Sequence, residues 1–150
     1  MHSPVTFEDA VASDAEALAA IRVEAMRESL ERIGRFDPQR ARERFLSAFS
    51  PAHTRHILLA GKKVGFFVVK PEEGDLLLDH LYIKPDYQGQ GVGAAVLAEV
   101  FALADSAACS VRVGALRESD SNRFYARHGF VLVNQAEFDN YYVRHAVNAL

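Results

Sequence analysis

Leu81-Tyr82-Ile83-Lys84-Pro85-Asp86-Tyr87-Gln88-Gly89-Gln90-Gly91-Val92-Gly93 is the stretch on which the reading of the whole chain turns. An apolar strand over residues 76–84 stops at Pro85, whose ring nitrogen cannot donate to a sheet ladder. Three glycines then lead into Ala94-Ala95-Val96-Leu97, the start of a helix expected to run through Ser106. A glycine-rich passage from strand to helix leaves backbone N–H groups unpaired and unshielded, and the helix dipole adds partial positive charge at the same place. A phosphate or pyrophosphate is the natural occupant; the plainer alternative is a flexible turn.

Two familiar phosphate loops can be compared with it. A nucleoside-triphosphate loop needs a Lys-Ser/Thr pair after its last glycine, where this chain has Ala94-Ala95-Val96. Gly89-Gln90-Gly91-Val92-Gly93-Ala94 has the glycine spacing of a dinucleotide fingerprint, but its surroundings are wrong. Pro85-Asp86-Tyr87-Gln88 separate the strand from the first glycine, antiparallel strands precede it, and too little chain follows for a doubly wound sheet.

Upstream of the loop, residues 56–60, a turn at Gly61-Lys62-Lys63 and residues 64–69 read as a hairpin; a turn at residues 71–75 joins it to the strand over 76–84, making an antiparallel meander. Before the hairpin, Val5 and Phe7 mark a first strand. Ser13-Asp14-Ala15-Glu16 reads as a capping box opening a helix whose inner face carries Leu18, Ile21 and Ala25. A second helix starts at Asp37-Pro38, carries the stripe Ala41, Phe45, Ala48 and Phe49, and ends at Ser50-Pro51. Downstream, the helix to Ser106 and a strand over residues 110–115 form a crossover, followed by a short helix over 122–127 and strands over 130–133 and 141–145. The pattern is α/β with a mixed sheet.

Taken whole, the run from Leu81 to Gly93 resembles the acetyl-coenzyme A loop of the GCN5-related N-acetyltransferase (GNAT) superfamily, Gln/Arg-x-x-Gly-x-Gly/Ala, with Gln88, Gly91 and Gly93 at the defining positions. Asn122-Arg123-Phe124-Tyr125-Ala126-Arg127-His128-Gly129-Phe130 is similar to the later block of that family, a short helix carrying Phe-Tyr or Leu-Tyr and ending at Gly-Phe. One position departs: many members have asparagine seven residues before the tyrosine, where this chain has Glu118. That leaves Asn122, and with it Glu118, Ser119 and Ser121, as open candidates for coenzyme contact. The resemblance implies a GNAT-like, mostly antiparallel, twisted sheet of six to seven strands with about four helices, in a single domain over residues 1–150.

It also implies an acetyl-CoA-dependent N-acetyltransferase acting on a small-molecule or peptide amine by direct attack on the thioester. The other reading kept open is an acyl-CoA-binding sensor or interaction module without turnover. By the resemblance, the backbone of Leu81, Tyr82 and Ile83 pairs with the pantetheine arm, and an N–H there receives the developing oxyanion. The amides of Gln88, Gly89, Gln90, Gly91, Val92, Gly93 and Ala94 hold the pyrophosphate, and Tyr125 stands beside the sulfur. A phenol is a donor at neutral pH, so Tyr125 is the candidate general acid for the leaving thiolate, against the alternative of a packed core tyrosine. An alkyl amine is mostly protonated at neutral pH, so a base is needed. Asp79 and His80 are neighbours on the strand and point to opposite faces. His80 is preferred for its ordinary pKa near ~6.5, against the alternative of a structural histidine. Glu24 and Glu28 are remoter candidates. Seven arginines against five acidic residues over positions 22–44 point either to an acceptor carrying a carboxylate or to a solvated surface laced with ion pairs. Arg123 and Arg127 could meet the coenzyme 3′-phosphate or only solvent. A homodimer is expected by analogy with relatives alone.

Composition narrows the remainder. The 150 residues, 49% hydrophobic and 25% charged, suit one domain with a real core. The lone Cys109 gives no disulfide framework or zinc cluster, reads as a small core residue and not a nucleophile, and fits a cytoplasmic compartment; no metal is expected. A net charge of -3 provides no field for nucleic acid or an anionic membrane. The start of the chain lacks the pattern of a secretory signal, and the apolar stretch over residues 94–104 is too short for a membrane span.

Overall fold

A computed structural model describes residues 4–147. In chain order the elements are β1 (Val5–Asp9), α1 (Ala15–Arg32), α2 (Pro38–Ala48), β2 (Thr54–Leu59), β3 (Lys62–Glu72), β4 (Asp75–Ile83), α3 (Val92–Ser106), β5 (Val111–Leu116), α4 (Ser121–Arg127), β6 (Val131–Gln135) and β7 (Asp139–Arg144). The seven strands form one sheet in the order β1-β2-β3-β4-β5-β7-β6, which with four helices is the expected fold class. The crossover through α3 makes β4 and β5 the parallel pair, while β1/β2, β2/β3, β5/β7 and β6/β7 are antiparallel. Among the described residues no helix is long and apolar enough to cross a membrane.

The residues gather into two compact units, one of residues up to Val68 with His80–Gly93, the other of Val69–Asp79 with the residues from Ala94 on. In the first unit, Leu18, Ala19, Phe45, Phe66 and Val68 form the core, with Ile21, Leu46, Phe49 and Tyr82 packed against it. The rings of Phe45 and Phe66 meet edge to face at 5.3 Å, so truncating either would remove about 3–5 kcal/mol. β3 and β4 approach so closely here that a Cβ on Gly65 would lie 2.1 Å from the carbonyl oxygen of Tyr82. Glycine is required there by space.

In the second unit, Val111, Val113 and Ala115 alternate inward along β5, and Tyr125, Phe130 and Tyr142 are buried with them. Asp75 fixes the parallel pairing: one carboxylate oxygen accepts from the Ser110 amide at 3.0 Å and the other from Arg112 at 3.0 Å. The register then runs from Leu76↔Val111 to Leu78↔Val113.

Several local expectations are corrected. The first helical segment begins earlier than Ser13, as a 3₁₀ turn over Ala12–Asp14, and the carboxylate of Asp14 reaches back to the Val11 amide at 2.9 Å. Ser13 is therefore not the cap. α2 is capped as read, with Asp37 accepting from the Arg40 amide at 3.1 Å, but Ala48 is exposed. The β2–β3 turn is the two residues Ala60 and Gly61, and Lys62 and Lys63 already pair with Leu59 and Leu58. β3 continues through Pro71 because its pairing with β2 ends at Thr54↔Val68, so no ladder bond to β2 is asked of the proline nitrogen.

Candidate active site

The end of β4 and the glycine loop lie in the first unit. His80 and Tyr82, two residues apart, share one face of the strand, and His80 Nδ1 lies 3.0 Å from the Tyr82 hydroxyl. The His80 ring stands edge-on to Phe45 at 5.5 Å. The same hydroxyl accepts from Arg22 Nε at 3.4 Å and lies 3.5 Å from Met26 Sδ, so both residues face α1 and α2. Arg22 is half-buried, and reading the sequence did not single it out from the arginine-rich stretch around it. Leu81 and Ile83, half-buried, alternate with Tyr82 along the strand.

After β4 the chain makes a 3₁₀ turn over Pro85–Tyr87, and the Gln88 amide donates to the Pro85 carbonyl at 3.3 Å. The Gln88 side chain folds back to donate to the Ile83 carbonyl at 2.9 Å, and Gln90 donates to the Asp86 carbonyl at 3.1 Å. The two glutamines thus brace the loop against the strand it leaves. Gly89 and Gly91 have φ of 77° and 81°, a left-handed conformation that side chains disfavour, and a Cβ on either would project into open space. Among the described residues, the amides of Gly89, Gln90 and Gly91 have no protein acceptor. Those of Val92, Gly93 and Ala94 open the first turn of α3, where helical geometry supplies none. The result is a run of donors without a protein acceptor, with the Gln88 amide excluded from it.

α4 lies in the second unit. Tyr125 is buried, its ring edge-on to Phe130 at 5.3 Å and 6.3 Å from Tyr142. Asn122 is engaged on both ends. Its Nδ2 donates to the carbonyls of Leu116 at 2.7 Å and Ser119 at 2.8 Å, and its Oδ1 accepts from Asn140 and Tyr142, each at 2.8 Å. The side chain ties α4 to the end of β5 and to β7, and no local signal in the sequence marks this role. The Ser119 hydroxyl donates to the Leu116 carbonyl at 2.9 Å, while Glu118 and Ser121 are exposed. Arg123 and Arg127 lie on the exposed side of α4.

Strand alternation separates the two base candidates as expected. Asp79 lines an open hollow of ≈ 540 Å³ in the second unit with Leu77, Arg112, Tyr141 and Val143, and its carboxylate lies 3.4 Å from Lys70. Glu24 and Glu28 are on the solvent side of α1, paired with Arg27 at 3.5 Å and Arg32 at 2.7 Å. Cys109 is buried and free.

A family model described as Acetyltransferase (GNAT) domain matches residues 53–132, just over half of the chain. Among solved structures, the fold is similar to the PaiA N-acetyltransferase from Thermoplasma acidophilum in complex with coenzyme A, at 16% identity, 95% coverage of this chain, 99% of that chain and a TM-score of 0.78. It is similar also to an acetyltransferase from Thermus thermophilus, at 21% identity, 97% and 99% coverage and a TM-score of 0.75. The ribosomal-protein-S18-alanine N-acetyltransferase from Escherichia coli gives 15% identity, 93% and 91% coverage and a TM-score of 0.68. Among curated proteins none matches. At such identities the structures speak to fold alone, and the family model speaks to descent. The matched segment runs from the start of the meander through the glycine loop and the Phe-Tyr helix, and on that match the chain belongs to the GNAT acetyltransferase family.

Proposed function

We propose that the chain is an N-acetyltransferase that moves an acetyl group from acetyl-CoA to a primary amine by direct attack. The observation that carries this reading is the run of amides from Gly89 to Ala94 without a protein acceptor among the described residues, with open space where a Cβ on Gly89 or Gly91 would lie. Such a donor set suits a diphosphate even in a chain of net charge -3. Acetyl-CoA supplies the activated acyl group as a thioester.

The chain's own groups then have distinct tasks. The loop amides orient the pyrophosphate, and the side chains of Gln88 and Gln90 hold the loop in shape from behind. The backbone of Leu81, Tyr82 and Ile83 pairs with the pantetheine amides and offers an N–H to the carbonyl oxygen as charge develops on it. His80 takes the amine proton through Nε2, with Nδ1–H directed to the Tyr82 oxygen. The amine nitrogen forms a bond to the acyl carbon, the carbon–sulfur bond breaks, Tyr125 gives its phenolic proton to the departing thiolate, and the second proton that the nitrogen loses in becoming an amide returns to the Tyr125 oxygen. Asn122 serves by setting the position of α4, and so of Tyr125. The buried Cys109 is not a nucleophile in this scheme.

The test is a panel of amines incubated with acetyl-CoA while free thiol is followed colorimetrically. The reading predicts thiol release with at least one amine, and a fall in kcat of about 100-fold or more in Tyr125→Phe with coenzyme affinity barely changed. No thiol release with any amine, alongside tight coenzyme binding, would identify a binding module instead.

A further inference from the structure

Of the seven arginines over residues 22–44, six are exposed and one, Arg22, is half-buried. Arg27, Arg32 and Arg42 lie on the surface, each with a carboxylate within 3.5 Å: Glu24 and Glu31 for Arg27, Glu28 for Arg32 and Glu16 for Arg42. Arg22 is different. It is half-buried, and among the described residues its partners are neutral oxygens: the Tyr82 hydroxyl on Nε and the Ala41 carbonyl on Nη1. No carboxylate lies within ion-pair range of it among those residues. A guanidinium partly withdrawn from water without a counter-ion is unfavourable unless an anion completes its surroundings.

The geometry points to what that anion is. Nη2 has no protein acceptor among the described residues, and no buried side-chain nitrogen or oxygen among them lacks a hydrogen-bond partner, so its two N–H groups open toward solvent. They do so one hydrogen bond away from Tyr82, on the segment of β4 to which the proposed function gives the thioester arm, and next to His80 on the same face. A planar fork of donors suits a carboxylate. We infer that Arg22 binds the carboxylate of the acceptor, so that the acceptors of this protein are amines that also carry a carboxylate, such as amino acids or short peptides. The inference rests on the acetyltransferase reading above and adds the acceptor class to it.

The experiment compares L-amino acids with their carboxamides as paired acceptors, with a polyamine series alongside, reading thiol release from acetyl-CoA. The inference predicts a KM at least about tenfold lower for acids than for their amides in the native protein. In Arg22→Gln that gap closes through the KM of the acids, kcat/KM falling far more for the acids than for the amides, and Arg22→Lys restores part of it. Circular dichroism on each variant checks that the fold is kept. Amides or polyamines acetylated as well as the acids overturn the carboxylate assignment while leaving the enzyme standing. So does an Arg22→Gln variant that loses activity equally on both series, since that marks a structural brace. Silence from every amine overturns both readings together.

Discussion

Asp14 accepts hydrogen bonds from the Val11 amide and the His56 ring, each at 2.9 Å, and these, the amide first, hold its carboxyl below the ordinary value of 3.8. The folded chain therefore binds this proton more weakly than the unfolded chain does. The resulting stability is whole above the ordinary carboxylate value and is lost as pH falls through the lowered one. Asp14→Asn, which keeps an acceptor oxygen but not the charge, is expected to unfold at lower urea than the native protein at pH 7. The two midpoints should converge as the pH is taken below about 4; a gap that persists there would mean that packing and not ionisation is at stake. None of this was legible in the sequence, where Asp14 looked like part of a cap belonging to Ser13, because His56 is brought to it by the sheet from far along the chain. Asn122 teaches the same lesson: its partners Asn140 and Tyr142 lie on another strand. By contrast, the opposed directions of Asp79 and His80 were legible, since alternation is a property of any strand.

At the scale of single elements, the glycine loop and the close approach of β3 to β4 make separable predictions. Gly91→Ala keeps open space around the new methyl but must hold φ near 81°, a conformation that disfavours L side chains by about 1–2 kcal/mol. Coenzyme A affinity measured by calorimetry should fall about tenfold. Gly65→Ala meets the Tyr82 carbonyl instead, and should lower stability by about 1–3 kcal/mol in urea denaturation, because backbone must move to admit it. If Gly65→Ala is as stable as the native chain, the close approach is not as tight as described. Element existence was readable throughout, because hydrophobic periodicity and capping residues such as Asp37 are local. Element ends were not. β3 outruns its apolar stretch by several residues, since where a strand stops depends on which neighbour still pairs with it, and Pro71 is harmless only because β2 has already ended.

For the molecule as a whole, a ligand that binds only the native state raises its thermal midpoint. Coenzyme A at about 100 times its Kd should stabilise by about 2.7 kcal/mol, and NADH at the same concentration should leave the midpoint unmoved; the reverse order would return the dinucleotide reading of the glycine spacing. The mixed sheet was legible as a class because the meander, the crossover and the final strands each carry their own signal. What no local signal carries is the grouping of the residues, in which β3 and β4 each give one stretch to either unit. Neither unit is an uninterrupted length of chain, so no single cut of the gene would release one of them intact. During synthesis, the opening residues of β4 must also wait for β5 to emerge before their parallel partner exists, so the second unit cannot close until about 35 further residues have been made.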